Sequence, residues 1–237
     1  KLSIKLLIIM KKILIVVAHP DDELFGCGGS IPIYKDSNSD IRVLYISEGV
    51  TSRYLNQNDS KAQIEIKERE SMANESSKFL GYKILDFLRY PNLRMQNIDF
   101  LELVKKILFY IEDFKPDLIF THHPGDLNPD HGITYNAVIS ASRPTEKFIV
   151  KEINIFEIPS STEWSSNQYS QNFLPTLYIN IENSIEKKLE ALNFFKKEMR
   201  SHPNPRSQEY IKSLAIIRGG EVGIKYAEAF RSIRKVI

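Results

Sequence analysis

Short apolar runs alternate with longer amphipathic stretches along this chain. Ile13 to Val17, Ile41 to Ile46, Ile84 to Leu88, Asp117 to Phe120, Ile153 to Ile158 and Leu177 to Ile181 are rich in branched apolar residues. They are too short for helices and predict buried strands. Between them, apolar positions recur at helical spacing. The spacing predicts helices from Asp21 or Asp22 to about Tyr34, Lys61 to Leu80 closed by Gly81, Asp99 to Phe114, His131 to about Ser142, and Ile185 to Met199. A last helix is expected from just after Ser207 to about Ile217. Strands alternating with helices predict an α/β fold with a mostly parallel sheet, helices on both faces and any ligand site at the carboxyl ends of the strands.

Two of the apolar runs stop abruptly at histidines and acids. The first ends in Ala18-His19-Pro20-Asp21-Asp22-Glu23. Pro20 forbids the strand from continuing inside a sheet. Imidazole and carboxylate are ordinary zinc ligands, and neighbouring aspartates allow one on a metal and one free as a base. The alternative, that the acids only cap a helix, stays open on this stretch alone, although a cap needs one Asp. The second run ends in Thr121-His122-His123-Pro124-Gly125-Asp126-Leu127-Asn128-Pro129-Asp130-His131, and of the five histidines only His202 lies outside the two clusters. In one parallel sheet both clusters emerge at the same edge. His19, Asp22 and His131 then supply two nitrogens and one carboxylate with a fourth position open, the ligand count of a catalytic zinc site.

These motifs resemble the LmbE/PIG-L family of zinc-dependent N-deacetylases. Ala18 to Glu23 matches the family's first motif residue for residue, and Asp126 to His131 resembles its second. The tail from Pro203 to Arg218, Ala227-Glu228-Ala229-Phe230, and Pro159 to Trp164 are similar to one bacterial branch. The resemblance implies a single Rossmann-like α/β domain over residues 10–237, zinc held by His19, Asp22 and His131, and Asp21 as general base. Iron(II) or another divalent ion suits the same donors. It further implies hydrolysis of the N-acetyl group of a small amino-sugar substrate such as a glycolipid, sugar nucleotide or glycoside, and a possible homo-oligomer. Asp130 is expected to orient an imidazole or support the helix start. The second motif usually reads His-Pro-Asp-His, and here it begins with Asn128. Asparagine can donate a hydrogen bond but carries no proton. Either the oxyanion-stabilising role is electrostatic only, or His123 or His202 supplies the missing imidazole. By the same resemblance His202 and Arg206 line the pocket. A carbohydrate-binding protein that keeps the zinc without catalysis is the rival class; the spare carboxylate of Asp21 argues against it.

Other residues divide between two roles. Arg53, in the polar loop from Ser47 to Ser60, is placed to grip an anionic or hydroxyl-rich substrate, or is a solvated loop arginine. Arg69 and Glu70 face the site or form a surface ion pair. Trp164 stacks on a sugar ring or anchors its loop. The Gly26-Cys27-Gly28-Gly29-Ser30 stretch lacks the Gly-x-Gly-x-x-Gly spacing and sits beside acids, so it predicts close helix packing and not a dinucleotide site.

Composition narrows the class further. The 237 residues suffice for one large α/β domain. A net charge of +2 gives no reason to expect nucleic acid or a membrane surface as partner. With Cys27 alone no internal disulfide forms, which fits a reducing compartment, and Cys27 has no basic neighbour to activate it. Residues 1–9 read as an upstream or non-native extension ahead of Met10-Lys11-Lys12. Cleavage after the apolar run from Ile13 would remove the first strand, so no export signal is expected and the location inferred is cytoplasmic. No apolar stretch is long enough to span a bilayer.

Overall fold

Ile13 to Val17 are all buried because they form the middle of the sheet. In the computed structural model, which describes residues 10–144, 148–165 and 172–237, strand β1 (Lys12–Val17) pairs in parallel with β2 (Asp40–Ser47) and β4 (Leu118–His122). A strand covered on both faces has no polar side to show, hence the unbroken apolar run. Ile13, Ile15 and Val17 join one core; Leu14 and Val16 join the other. β3 (Lys83–Tyr90) and β5 (Glu152–Phe156) extend the parallel pairing outward. Among the described residues, seven strands form one sheet in the order β3-β2-β1-β4-β5-β7-β6.

Helices cover both faces. α4 (Phe100–Phe114) and α5 (Pro129–Ala141) pack Leu103, Ile107, Ile111, Ala137 and Val138 over Leu14 and Ile119. The opposite face carries α1 (Asp22–Cys27), α2 (Ser30–Asp36), α3 (Ser60–Leu80), α6 (Ile185–Leu192) and α7 (Gln208–Gly220). Asp59 accepts from the Lys61 N–H at the start of α3, and Gly81, at φ +82°, closes it in the left-handed conformation. Among the described residues no helix is long and apolar enough to cross a membrane. Residues 1–9 lie outside the described residues.

Four expectations are corrected. The helix from Asp21 to Tyr34 is two, broken between Cys27 and Ser30. Glu228 explains the break: its carboxylate accepts the Gly29 N–H at 2.8 Å, the Ser30 N–H at 2.7 Å and the Ser30 hydroxyl at 2.6 Å. It also pairs with buried Lys188 at 2.6 Å, and Lys188 donates to the Phe25 carbonyl at 2.7 Å. The predicted helix from Ile185 to Met199 ends at Leu192 and passes into a 3₁₀ turn, Asn193–Phe195. The last helix continues beyond Ile217 to Gly220. Finally, a strand absent from the sequence reading, β7 (Ala227–Lys235), inserts antiparallel between β5 and β6 (Leu177–Asn180). The glycine stretch does pack closely: a Cβ on Gly26 would overlap the Phe156 ring, and one on Gly29 would press on Ile181.

Candidate metal and acid–base site

β1 and β4 are neighbours in parallel register, Ile15 opposite Phe120. The residues that follow each strand therefore meet at one sheet edge. His19, Asp22 and His131 come together there, all buried, with one ligand atom of each lying within 4.8 Å of the others. The Asp22 carboxylate accepts the His19 N–H at 2.8 Å and lies 3.2 Å from His19 Nδ1 and 3.4 Å from His131 Nε2. Its other oxygen, Oδ1, is buried without a hydrogen-bond partner, as is His131 Nε2. Buried polar atoms are normally satisfied. Two that are not, on residues of one nitrogen–oxygen donor set, fit a divalent cation.

The outward nitrogens of both imidazoles are held by carboxylates. Asp130 Oδ2 lies 3.1 Å from His19 Nε2 and accepts the Leu93 N–H at 2.7 Å. Asp126 Oδ1 lies 3.0 Å from His131 Nδ1. Such partners fix ring orientation and raise ligand basicity. Burial opposes charge on His131, but Asp22 and Asp126 outweigh it and raise its pKa to about 10. Burial likewise opposes ionisation of Asp126, yet His131, Ser161 and Thr162 hold its carboxyl down at about 2. Asp22 is held well below the usual carboxylate range by the two histidines against its own burial. The local field thus favours a carboxylate beside positive charge.

Asp21 stands apart from this cluster. It is buried at the N-cap of α1 with φ +123°, and its side chain makes no capping bond. Oδ2 instead receives Arg69 Nη2 at 2.9 Å and Arg206 Nη1 at 3.1 Å, while Oδ1 has no partner. Burial, together with the neighbouring charges of Asp22 and Glu198, raises its pKa against the pull of the two arginines. Arg69 is itself buried and donates to the carbonyls of Pro20 and Gly49, both at 2.9 Å. A Cβ at Gly49, whose φ is +74°, would meet the Arg69 guanidinium carbon at 2.9 Å, so only glycine admits this contact. Glu70 turns away to pair with Arg89.

A cavity of about 280 Å³ opens above these groups, near the lower end of small-molecule sites. His19, Arg53, Arg69, Asn128 and Arg206 line it, together with Glu198 and Arg200, which the sequence reading did not single out. The loop after β2 reaches the cavity because Glu48 accepts the Thr51 N–H at 3.0 Å and the Asn92 N–H at 2.8 Å. Asn128 caps α5, its Oδ1 accepting the Asp130 N–H at 3.0 Å. Three residues fall elsewhere. His123 packs edge-on against Phe173. Trp164 is 53% exposed and outside the cavity lining. His202 is exposed, and Arg200 lines the wall in its stead. The imidazole next to the cluster is His122, stacked on His131 at 4.0 Å. Its Nε2 accepts the Ala18 N–H at 2.8 Å, and burial keeps it neutral, well below its ordinary pKa. Strand alternation gives the physical reason: β4 runs through His122, so adjacent histidines point to opposite sides.

Residues 14–142 match the family model PIG-L, described as GlcNAc-PI de-N-acetylase. The chain is 23% identical over 209 residues to a probable N-acetyl-α-D-glucosaminyl L-malate deacetylase 2 of Bacillus anthracis, covering 84% of this chain and 87% of that protein. Among solved structures, the N,N′-diacetylchitobiose deacetylase of Pyrococcus horikoshii superposes with a TM-score of 0.76 at 21% identity, covering 94% of this chain and 84% of that one. The 4-carboxy-2-hydroxymuconate hydratase GalB of Pseudomonas putida KT2440 gives the same TM-score, 0.76, at 20% identity, with 96% and 98% covered. One fold therefore carries more than one water-adding chemistry.

Proposed function

The chain belongs to the PIG-L family, and on that premise we propose that it hydrolyses the acetamide of an N-acetylated amino-sugar conjugate, giving acetate and a free amine. The observation that carries this reading is the pairing of a buried His19–Asp22–His131 donor set with a separate carboxylate, Asp21, whose Oδ1 has no partner. His19, Asp22 and His131 would hold zinc, and iron(II) suits the same donors. A divalent ion in that position supplies polarisation of the acetyl carbonyl and water of lowered pKa, about 7 for zinc.

The chain's own residues do the rest. Asp130 and Asp126 orient the two imidazoles. Arg69 and Arg206 fix Asp21 through Oδ2, which leaves Oδ1 to take the proton of the attacking water. The new C–O bond forms at the acetyl carbon, the C–N bond breaks, and Asp21 returns the proton to the departing amine nitrogen. Asn128, its Oδ1 fixed by the helix cap, has Nδ2 to offer to the oxyanion. This assigns the family's histidine position a purely electrostatic part. A sugar-binding protein on the same fold has no use for a buried carboxylate at a left-handed backbone position.

The test is metal analysis of purified protein combined with acetate release from N-acetylamino sugar conjugates. One equivalent of divalent metal and stoichiometric acetate support the reading. Metal-free protein after chelator-free purification, or metal-loaded protein that releases no acetate from the panel, overturns it.

A further inference from the structure

Glu23 is fully buried and takes no part in the chemistry above. It is the second residue of α1. Its Oε1 accepts from the Tyr82 hydroxyl at 2.8 Å, and its Oε2 accepts the Asp21 N–H at 3.1 Å. The Tyr82 hydroxyl lies 2.9 Å from Ser76 Oγ on α3 and 3.3 Å from the Tyr45 hydroxyl on β2. Ser76 in turn donates to the Ala73 carbonyl at 3.0 Å. Among the described residues the partners of this carboxylate are thus an amide and a hydroxyl, not a cation. A buried carboxylate without a counter-charge costs stability. Folded sequences break that rule chiefly at functional sites.

What Glu23 holds is the backbone of Asp21. At φ +123°, Asp21 has a conformation that a residue with a side chain adopts only under constraint. Its polar groups, Oδ1 excepted, are all engaged. The carbonyl accepts the Leu24 N–H at 3.0 Å and the Phe25 N–H at 3.1 Å, which starts α1. Oδ2 takes Arg69 and Arg206. The N–H goes to Glu23. An aspartate before a helix ordinarily has an extended backbone and turns its carboxylate back onto the amides of the first turn. Here the bond to Glu23 fixes the peptide plane between Pro20 and Asp21, and the side chain leaves the helix for the two arginines. We infer that Glu23 is a positioning residue: by accepting the Asp21 N–H it keeps the Asp21 carboxylate on the arginines and off the amides of α1. The catalytic consequence rests on the deacetylase reading, in which Asp21 moves the proton.

The hold needs an acceptor and not a charge. Glutamine at this position presents its carbonyl oxygen to the Asp21 N–H and its amide to the Tyr82 hydroxyl, which then donates to Ser76. Leucine accepts nothing. The experiment compares wild type, Glu23→Gln, Glu23→Leu and Tyr82→Phe by metal content, thermal melting, and kcat and KM for acetate release from N,N′-diacetylchitobiose and N-acetylglucosaminyl malate. Crystal structures of wild type and Glu23→Leu accompany the kinetics. Glu23→Leu is expected to keep its metal and its KM and to lose about 10- to 100-fold in kcat, the effect of a displaced catalytic group. In its crystal the Asp21 carboxylate has left Arg69 and Arg206. Glu23→Gln restores kcat to near wild type, which a loss of charge or a merely structural defect does not allow. Tyr82→Phe, which frees Oε1, falls between the two and carries the test if the leucine variant does not fold. Wild-type turnover in Glu23→Leu, or in Tyr82→Phe where that variant stands in, overturns the inference. So do a glutamine variant as slow as the leucine one, loss of metal, and an unmoved Asp21 in the crystal. Acetate from neither substrate in the wild type overturns the deacetylase reading alone, because the two crystal structures decide the position of Asp21 without turnover.

Discussion

Replacing Asp21 by asparagine separates catalysis from stability. The substitution preserves shape and removes one negative charge and, on the proposed mechanism, the proton acceptor. General acid–base catalysis is worth about 10²- to 10⁴-fold, so kcat is expected to fall by at least 10² while metal content stays at wild type. Stability is expected not to fall. Two charge-assisted bonds, from Arg69 and Arg206, weaken to neutral ones at a cost of about 1 kcal/mol each. Against that, a fully buried carboxylate is lost, whose desolvation costs several kcal/mol and, with the repulsion of Asp22 and Glu198, exceeds the pull of both arginines, since its pKa is raised. The sign is consistent: a carboxyl raised in the fold contributes stability below its ordinary pKa of 3.8 and loses it as pH rises, so at neutral pH the charge is a burden. Arg69 is not orphaned, because Glu198, the Pro20 carbonyl and the Gly49 carbonyl remain. The melting temperature is therefore expected to hold or to rise by about 2–4 °C per kcal/mol gained. A fall of more than about 4 °C refutes the argument that burial and like-charge repulsion outweigh the arginine clamp. Metal lost together with activity shows instead that Asp21, not Asp22, is the ligand.

Three further outcomes are expected. Asp130→Asn removes the charge facing His19 Nε2 without changing shape, and metal affinity measured by chelator competition should drop about 10- to 100-fold; unaltered affinity would mean that Asp130 serves only the Leu93 amide. Gly26→Ala forces a methyl into the Phe156 ring and should cost about 1–3 kcal/mol by denaturant titration, with an unchanged midpoint counting against that packing. The Tyr110 hydroxyl is pushed up to about 12 by partial burial and by its bond to Asp86, so its contribution is complete below pH 10 and lost between pH 10 and 12; Tyr110→Phe should flatten that alkaline decline in chemical stability, and an unchanged slope would place its origin elsewhere.

The parallel half of the sheet was legible because its strands are covered on both faces and read as continuous apolar runs. His19, Asp22 and His131 were legible as a set because two such runs end in polar residues, and parallel pairing brings those ends together. β7 was not: Ala227-Glu228-Ala229-Phe230 follows a helix without a continuous apolar run, and Glu228 is buried only because Lys188 and two amides meet it. His122 was not singled out beside the cluster, because the apolar run stops at Phe120 while β4 continues two residues further, through His122. Glu198 carried no signal at all. It sits in a lysine-rich stretch, and the two arginines that hydrogen-bond to it, Arg69 and Arg53, lie 129 and 145 residues away in sequence.

The insertion of β7 between β5 and β6 bears on how the chain acquires its shape during synthesis. β6 touches the rest of the sheet only through β7, so Leu177–Asn180 has no edge to join until Ala227–Lys235 has left the ribosome. Until then the turn between α1 and α2, a few residues beyond Asp22, lacks the carboxylate that caps it. A nascent chain that already contains both histidine clusters is therefore still unfinished at its sheet edge, and translation stalled before residue 227 leaves a product exposed to proteolysis.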